Sequence, residues 1–486
     1  MERLSPEIMA LIAAHLCDVP RPPFPIPGVP RISFAPYAII SRRWQNFVEP
    51  WTFSSIELYN TELDTFTAIF ADSRRRALLR HFTYCIALPT YGKSRHDFAQ
   101  NQATMNNSIL KLLNILKDWD DAGARLELRV VTICYDHTAG EATDVQFEII
   151  RPGTPSRYLI LDEVELPTVD CVASLDITAG PGRALHPTAM YQLAGTFPLL
   201  EKLNLEVLDP VTRRRRMRKD HRLALAAGLT ALNLPKLTHL SLNRTTTTDV
   251  YNHSFKCGDL EEDGIDALND ALRKFSQTPP LTDLVLTGAL ISPNLFRSRR
   301  TADPDLSEWP TLRNFSVKAG IIAPSGQWYY TGDPDAVEPG VESSYGDGSE
   351  ASESDDDEDH DLRDNGIRPT HPWRTRPDPD LFDALVKDMA DAVLRMPQLR
   401  TGNLDIGPRY GPAAEIIFKC AEATCALDDR PDWQLDSEEE QTTRRWHAWV
   451  GEGTEWEMPK DVKVLWAEWL GDSGKSAIGC WSPAEF

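Results

Sequence analysis

The chain repeats one short block that few folds can use: a proline, a leucine two places on, then apolar residues three and five places beyond that leucine. It reads Pro198-Leu200-Leu203-Leu205, Pro235-Leu237-Leu240-Leu242, Pro279-Leu281-Leu284-Leu286 and Pro310-Leu312-Phe315-Val317, and more weakly Pro397-Leu399-Gly402-Leu404. Proline disfavours helix in the residue before it, so each block ends whatever helix precedes it. The leucine then turns inward, and the apolar pair two apart lies on one face of a strand. Between blocks run amphipathic stretches such as 259–277, where Ile265, Leu268, Leu272 and Phe275 recur at helical spacing. A strand and a helix repeated in this order predict an α/β body of parallel strands with outer helices, stacked as a solenoid.

Blocks without the proline extend the pattern toward the N-terminus: Phe53-Ile56-Leu58, Leu79-Phe82-Tyr84, Leu128-Val131-Ile133 and Val172-Leu175-Ile177. The motif resembles the core of leucine-rich repeats. Its proline-to-proline intervals of 37, 44, 31 and 87 residues are irregular, and the asparagine of regular repeats is missing. The resemblance implies an irregular horseshoe; an unrelated α/β domain with leucine-rich parallel strands is the alternative. Residues 145–150 and 158–161, joined by Pro-Gly-Thr-Pro, read as an inserted hairpin.

The first fifty residues have a different grammar. Ser5 can cap a helix, Pro6 suits its first position, and Glu7 faces the positive end of its dipole. Ile8, Leu11, Ile12 and Leu16 then form an apolar stripe. Six prolines between Val19 and Pro30 make a stiff connector. A second helix is expected after Ser33, with Tyr37, Ile40, Trp44 and Phe47/Val48 on one face and Pro50 as its stop. Two such helices cannot bury both faces alone, so they either cap the next domain or dock on a partner.

Leu-Ser-Pro-Glu-Ile at 4–8, with Phe-Ala-Pro-Tyr-Ala-Ile-Ile-Ser-Arg-Arg-Trp-Gln at 34–45, resembles the F-box of filamentous-fungal proteins. Thr52-Phe53 and Ile56-x-Leu58 fit the same group. The proline falls one place late and the connector is longer than the family's loop. The resemblance implies binding to the Skp-family adaptor of a cullin ubiquitin ligase. Leu4, Pro6 and Ile8 would insert at its edge; Ile12, Leu16, Ile40 and Trp44 would supply the central contacts, with Trp44 as the main anchor.

Charge is uneven. The net formal charge is −22, yet Asp333–Asp364 holds 14 acidic residues against Arg363 alone. That segment cannot fold by itself and reads as a disordered loop, with Ser352 and Ser354 as candidate sites for an acidophilic kinase. The dense basic run Arg213, Arg214, Arg215, Arg216, Arg218 and Lys219 reads as a nuclear-import signal, a phosphate-binding patch, or a solvated loop. The tail from Arg409 carries seven of the 13 tryptophans and is expected to cap the solenoid, with Trp466 and Trp469 facing inward. An aromatic surface for carbohydrate or peptide is the alternative.

Catalysis finds little support. Gly471-Asp-Ser-Gly-Lys-Ser476 has Trp469 where a phosphate loop needs its first glycine, and the 11 histidines show no metal-binding spacing. Eight scattered cysteines suit reduced thiols, and Cys420 and Cys425 have no partnering histidine nearby for zinc. No stretch is apolar enough to span a bilayer, and the N-terminus does not read as a signal peptide. The resulting expectation is a cytoplasmic or nuclear, non-enzymatic protein without cofactor or metal. It comprises an F-box over 1–52, a repeat body over 53–332, an acidic loop over 333–378, a last repeat over 379–408 and a cap over 409–486. Its partners would be the Skp adaptor, the cullin ligase and a protein client, with neither membrane nor nucleic acid. The alternative is a scaffold whose N-terminal helices only cap the fold and whose acidic loop binds a basic partner.

Overall fold

The leucine blocks become strands, and their apolar positions line up from strand to strand. The computed structural model describes residues 5, 7–9, 11–12, 39–89, 95–119, 125–134, 158–161, 165–179, 183–246, 250–298, 308–336, 360, 362–368, 370–407, 416–423, 443–451, 454 and 456–481. The chain divides into two compact units interleaved in sequence. The first takes Met1–Val145, Leu159–Arg183 and Leu193–Lys202; the second takes Gln146–Tyr158, Ala184–Gln192 and Leu203–Phe486.

In the first unit, helix α1 (Arg42–Ser54) leads directly into β1 (Ser55–Tyr59). Short helices α2 (Leu63–Ile69) and α3 (Ser73–Arg76), β2 (His81–Leu88), α4 (Arg95–Lys117), β3 (Leu126–Cys134) and β4 (Val172–Thr178) follow. The four strands pair in chain order, all parallel. Ile56, Phe82, Leu128 and Leu175 stand in one row, and Leu58, Tyr84, Val130 and Ile177 in the next. This register corrects the expected frame of the third block. Leu128 and Val130 are the inward pair, while Val131 and Ile133 are only half-buried. Arg125 therefore occupies the place where the other blocks have an apolar residue, which is why the motif could not be framed from sequence. Phe66 anchors the core beneath, with its ring 4.6 Å from Phe70, 4.8 Å from Phe82 and 5.6 Å from Trp119.

The second unit contains β5 (Lys202–Asp209) from Leu203 onward, α5 (Arg215–Ala231), β6 (His239–Thr246), α6 (Ala267–Ser276), β7 (Asp283–Thr287) and β8 (Asn314–Ala319). A small hairpin of β9 (Tyr330–Thr331) and β10 (Arg376–Pro377) precedes α7 (Phe382–Leu394) and β11 (Thr401–Ile406). The end of the chain supplies β12 (Ile416–Ala421), β13 (Arg445–Gly451), α8 (Lys460–Leu470) and β14 (Lys475–Trp481). Strands β6, β7, β8 and β11 are parallel, so Leu240, Leu284, Phe315 and Gly402 share one row, and Leu242, Leu286, Val317 and Leu404 another. Gly402 breaks the apolar series for a steric reason. A Cβ there would lie 2.7 Å from both the Cys420 sulfur and the Phe315 ring, which already fill the space.

Three expectations are adjusted. Helix 259–277 shortens to α6, because Asp263 and Gly264 both take positive φ in a tight turn closed by Glu262 and Ile265. Asp266 then caps α6, accepting from the Asn269 amide at 3.2 Å. Pro50 does not stop α1, which continues through it to Ser54. Thr52 Oγ1 donates to the Val48 carbonyl at 3.1 Å within that stretch. The tryptophan-rich tail, expected as a cap, supplies strands: β12 pairs antiparallel with β11 and with β13, and β14 pairs parallel with β13, lengthening the sheet. Trp466 and Trp469 are buried, with Trp446 packed 5.6 Å from Trp466. The first arm of the expected hairpin at 145–150 lies outside the described residues. No helix among the described residues is long and apolar enough to cross a membrane.

Candidate functional site

The first unit opens on helical residues 7–9 and 11–12. Ser5 caps them as expected: the Ile8 amide donates to Ser5 Oγ at 3.4 Å and the Met9 amide to the Ser5 carbonyl at 3.1 Å. The Ser5 hydroxyl also lowers the pKa of Glu7. Met9 is fully buried, whereas Ile8, Leu11 and Ile12 are exposed by 46%, 70% and 36%. Ile39 and Ile40 follow the same pattern at 86% and 48%, and Trp51 at 45%. Among the described residues, six of the ten exposed large apolar side chains therefore lie in the first 51 positions.

Helix α1 is fixed beside them by its other face. Its start falls later than expected, at Arg42, where Ser41 Oγ accepts from the Trp44 amide at 3.3 Å. Trp44 is only 3% exposed and Val48 likewise, so the expected main anchor for a partner is instead part of the unit's interior. Glu49, 2% exposed, receives Gln45 Nε2 at 2.7 Å, Arg75 Nη2 at 3.1 Å and the Arg74 guanidinium, tying α1 to α3. Of the seven residues expected to meet the Skp adaptor, Ile8, Ile12 and Ile40 are exposed and Trp44 is buried; Leu4, Pro6 and Leu16 lie outside the described residues. Sequence reasoning missed Ile39 and Trp51. The Ile39-Ile40 pair was a readable signal, because a helix face accommodates only one of two adjacent residues.

In the second unit the basic run is divided. Arg213 pairs with Asp364 at 3.7 Å and its amide donates to the Asn365 side chain at 3.1 Å. From Arg215 the run winds into α5, which alternates its cations between water and core. Arg216 is 97% exposed, Arg218 is half-buried and Arg222 is buried. Arg222 holds Asp266 through Nε at 2.6 Å and donates to the Leu290 carbonyl at 2.8 Å. Arg244 holds Asp209 through Nε at 2.5 Å and the Gly288 carbonyl at 2.8 Å. Burial alone would raise the Asp209 carboxyl, but Arg244 and Arg218 bring it down to about 2. His221 sits beside them with its ring 4.6 Å from Tyr158 and 5.5 Å from His186, and burial pushes it down to about 4.

The acidic segment is described only at its ends, a single turn at Pro334–Ala336 and the stretch that reaches Asp364. Ser352, Ser354 and Cys425 lie outside the described residues. Cys420 is buried against Gly402, and burial pushes its thiol up to about 12. Among the described residues no group of three histidine, cysteine or carboxylate side chains is placed to hold a metal ion. Gly471-Asp-Ser-Gly-Lys-Ser476 joins the end of α8 to β14, with Gly471 at φ 65°. It leads from helix to strand, the reverse of a phosphate loop, so no helix N-terminus follows it. No protein-family model matches the chain, and no curated protein does.

Proposed function

We propose that the protein is a non-catalytic, substrate-recruiting adaptor of a Skp-cullin-F-box ubiquitin ligase, acting in the cytoplasm or nucleus. The observation that carries this reading is the concentration of exposed apolar side chains at the start of the chain. Elsewhere the chain buries its leucines strand after strand, so leaving Ile8, Leu11, Ile12, Ile39 and Ile40 in water has no folding rationale. The helical cap at Ser5 and the Tyr-Ala-Ile-Ile-Ser-Arg-Arg-Trp-Gln string belong to the same stretch. Parallel strands following chain order, with motif positions in register, support reading the body as an irregular leucine-rich-repeat-like solenoid. Such a body holds a protein client near the conjugating enzyme, raising the effective concentration of its lysines without making or breaking bonds.

The test is co-purification of the full chain with the Skp adaptor. Wild type retains the adaptor, and the combined Ile8→Ser, Ile12→Ser, Ile40→Ser variant loses it while keeping its unfolding midpoint. A wild-type chain that recovers no adaptor overturns the reading. The burial of Trp44, Val48 and Glu49 favours a second reading, in which these helices close the fold and the acidic segment binds a basic partner. Deleting residues 337–359 distinguishes the two, because only the second then loses its main partner.

A further inference from the structure

The interior of the second unit runs out at β14. From β11 to β14, Leu404, Phe418, Ala448 and Ile478 stand in one row. The first three are buried, whereas Ile478 is 49% exposed. Among the described residues no strand pairs with the far edge of β14. The Lys475 amide donates to the Arg444 carbonyl at 3.0 Å, so Lys475 turns its backbone toward β13. Successive residues of a strand face opposite edges, so the amides and carbonyls of Ser476, Ile478 and Cys480 point to the open side. Natural edges are blunted by charge, proline or shortness. An edge strand of the first unit, β1, is five residues long with Glu57 at its centre. In contrast, β14 is seven residues long without proline, and its one charge, Lys475, stands at its first position.

We propose that this edge is a homodimer interface, in which β14 pairs antiparallel with β14 of a second copy about a two-fold axis at Ile478. A two-fold relation between paired edge strands requires them to be antiparallel. Centring it on Ile478 gives every outward amide and carbonyl a partner: Ile478 meets its own copy, and Ser476 meets Cys480 in both directions. The same register sets Ile478 against Ile478 on the face of the buried row, so the row continues into the second copy. On the other face it sets Ala477 against Gly479, which leaves nothing bulky in the way. Lys475 falls at opposite ends of the paired strands, so no like charges face each other. An extended segment of another protein would satisfy the same backbone groups. Self-pairing is favoured because it also matches the apolar centre and separates the only charge. The interface belongs to the second unit and is independent of the adaptor reading, which rests on the first.

The experiment is sedimentation equilibrium of the full chain across the micromolar range, paired with oxidative cross-linking. Wild type is expected to rise from the mass of one chain to that of two and no further, because the two-fold closes the assembly. Ile478→Lys places like charges at the centre and keeps the mass of one chain throughout, with the unfolding midpoint of dilute wild type. Ile478→Cys cross-links to its own copy where wild type does not, since Cα atoms of such a hydrogen-bonded pair lie about 5.5 Å apart, within disulfide reach. Lys475→Cys, held at opposite ends of the paired strands, does not cross-link. Wild type that stays at the mass of one chain, whether or not it takes up a partner's extended segment, overturns the proposal. So does an assembly that grows beyond two chains, a dimer that Ile478→Lys leaves intact, or a dimer without the Ile478→Cys cross-link. The wild-type masses and the cross-link decide the matter even if Ile478→Lys fails to fold.

Discussion

The exposed isoleucines near the start of the chain and the buried arginine of helix α5 have environments opposite to those their side chains suggest. Among the described residues, the N-terminal stretch leaves Ile8, Ile12, Ile39 and Ile40 in water, while α5 begins in the most basic run of the chain and sends Arg222 into the core. The difference lies in what each side chain meets. An arginine can be buried when carboxylates and carbonyls are already arranged around it, as Asp266 and Leu290 are for Arg222. An isoleucine can be buried only where a surface is free to cover it. Polarity therefore states what a residue requires, and the neighbouring elements decide whether that requirement is met inside the chain.

The largest effect expected from breaking this contrast is Asp266→Ala. It strands Arg222 in the core and should cost about 3–5 kcal/mol in denaturant unfolding. Trp44→Ala follows at about 3 kcal/mol or more, because the side chain is interior to the first unit. A cost near zero would return Trp44 to the surface role first expected of it.

The pH response of α5 sharpens the comparison further. His221 is held neutral in the fold, its pKa lowered from 6.5 to about 4, so the unfolded chain takes up its proton first as acid is added. Its contribution is present in full above about pH 6.5 and is lost as the pH falls toward 4. His221→Phe should flatten that part of the stability profile by roughly 3 kcal/mol. His253, also lowered to about 4 by burial, leaves a residual slope. Smallest of all are the Ile8, Ile12 and Ile40 variants of the adaptor test, each expected to change stability by less than about 0.5 kcal/mol.

Much of the strand pattern was legible in the sequence. The proline-leucine blocks at 198, 235, 279 and 310 place β5 to β8, because proline ends a helix and alternate leucines demand one buried face. The third early block slipped in frame because Arg125 replaces the residue that would have fixed it. The tail was read as a cap because its tryptophans announce burial without saying whether helix or strand provides it. For the candidate site, the apolar stripe at 8–12 was readable. The burial of Trp44 was not, since it depends on packing within the first unit that its helical spacing does not specify.

Sequence by itself determined the α/β alternation, the inward leucines, the cap at Ser5 and the concentration of most of the net negative charge in one segment. These follow from local preferences and from periodicity, which need no knowledge of distant residues. Tertiary structure alone decided that Gly402 had to be small, and that Arg222 is drawn into the core while Ile8, Ile12, Ile39 and Ile40 remain outside. Each of those outcomes depends on groups far apart in the chain, such as Phe315 with Cys420 or Arg222 with Asp266, whose meeting is a property of the fold.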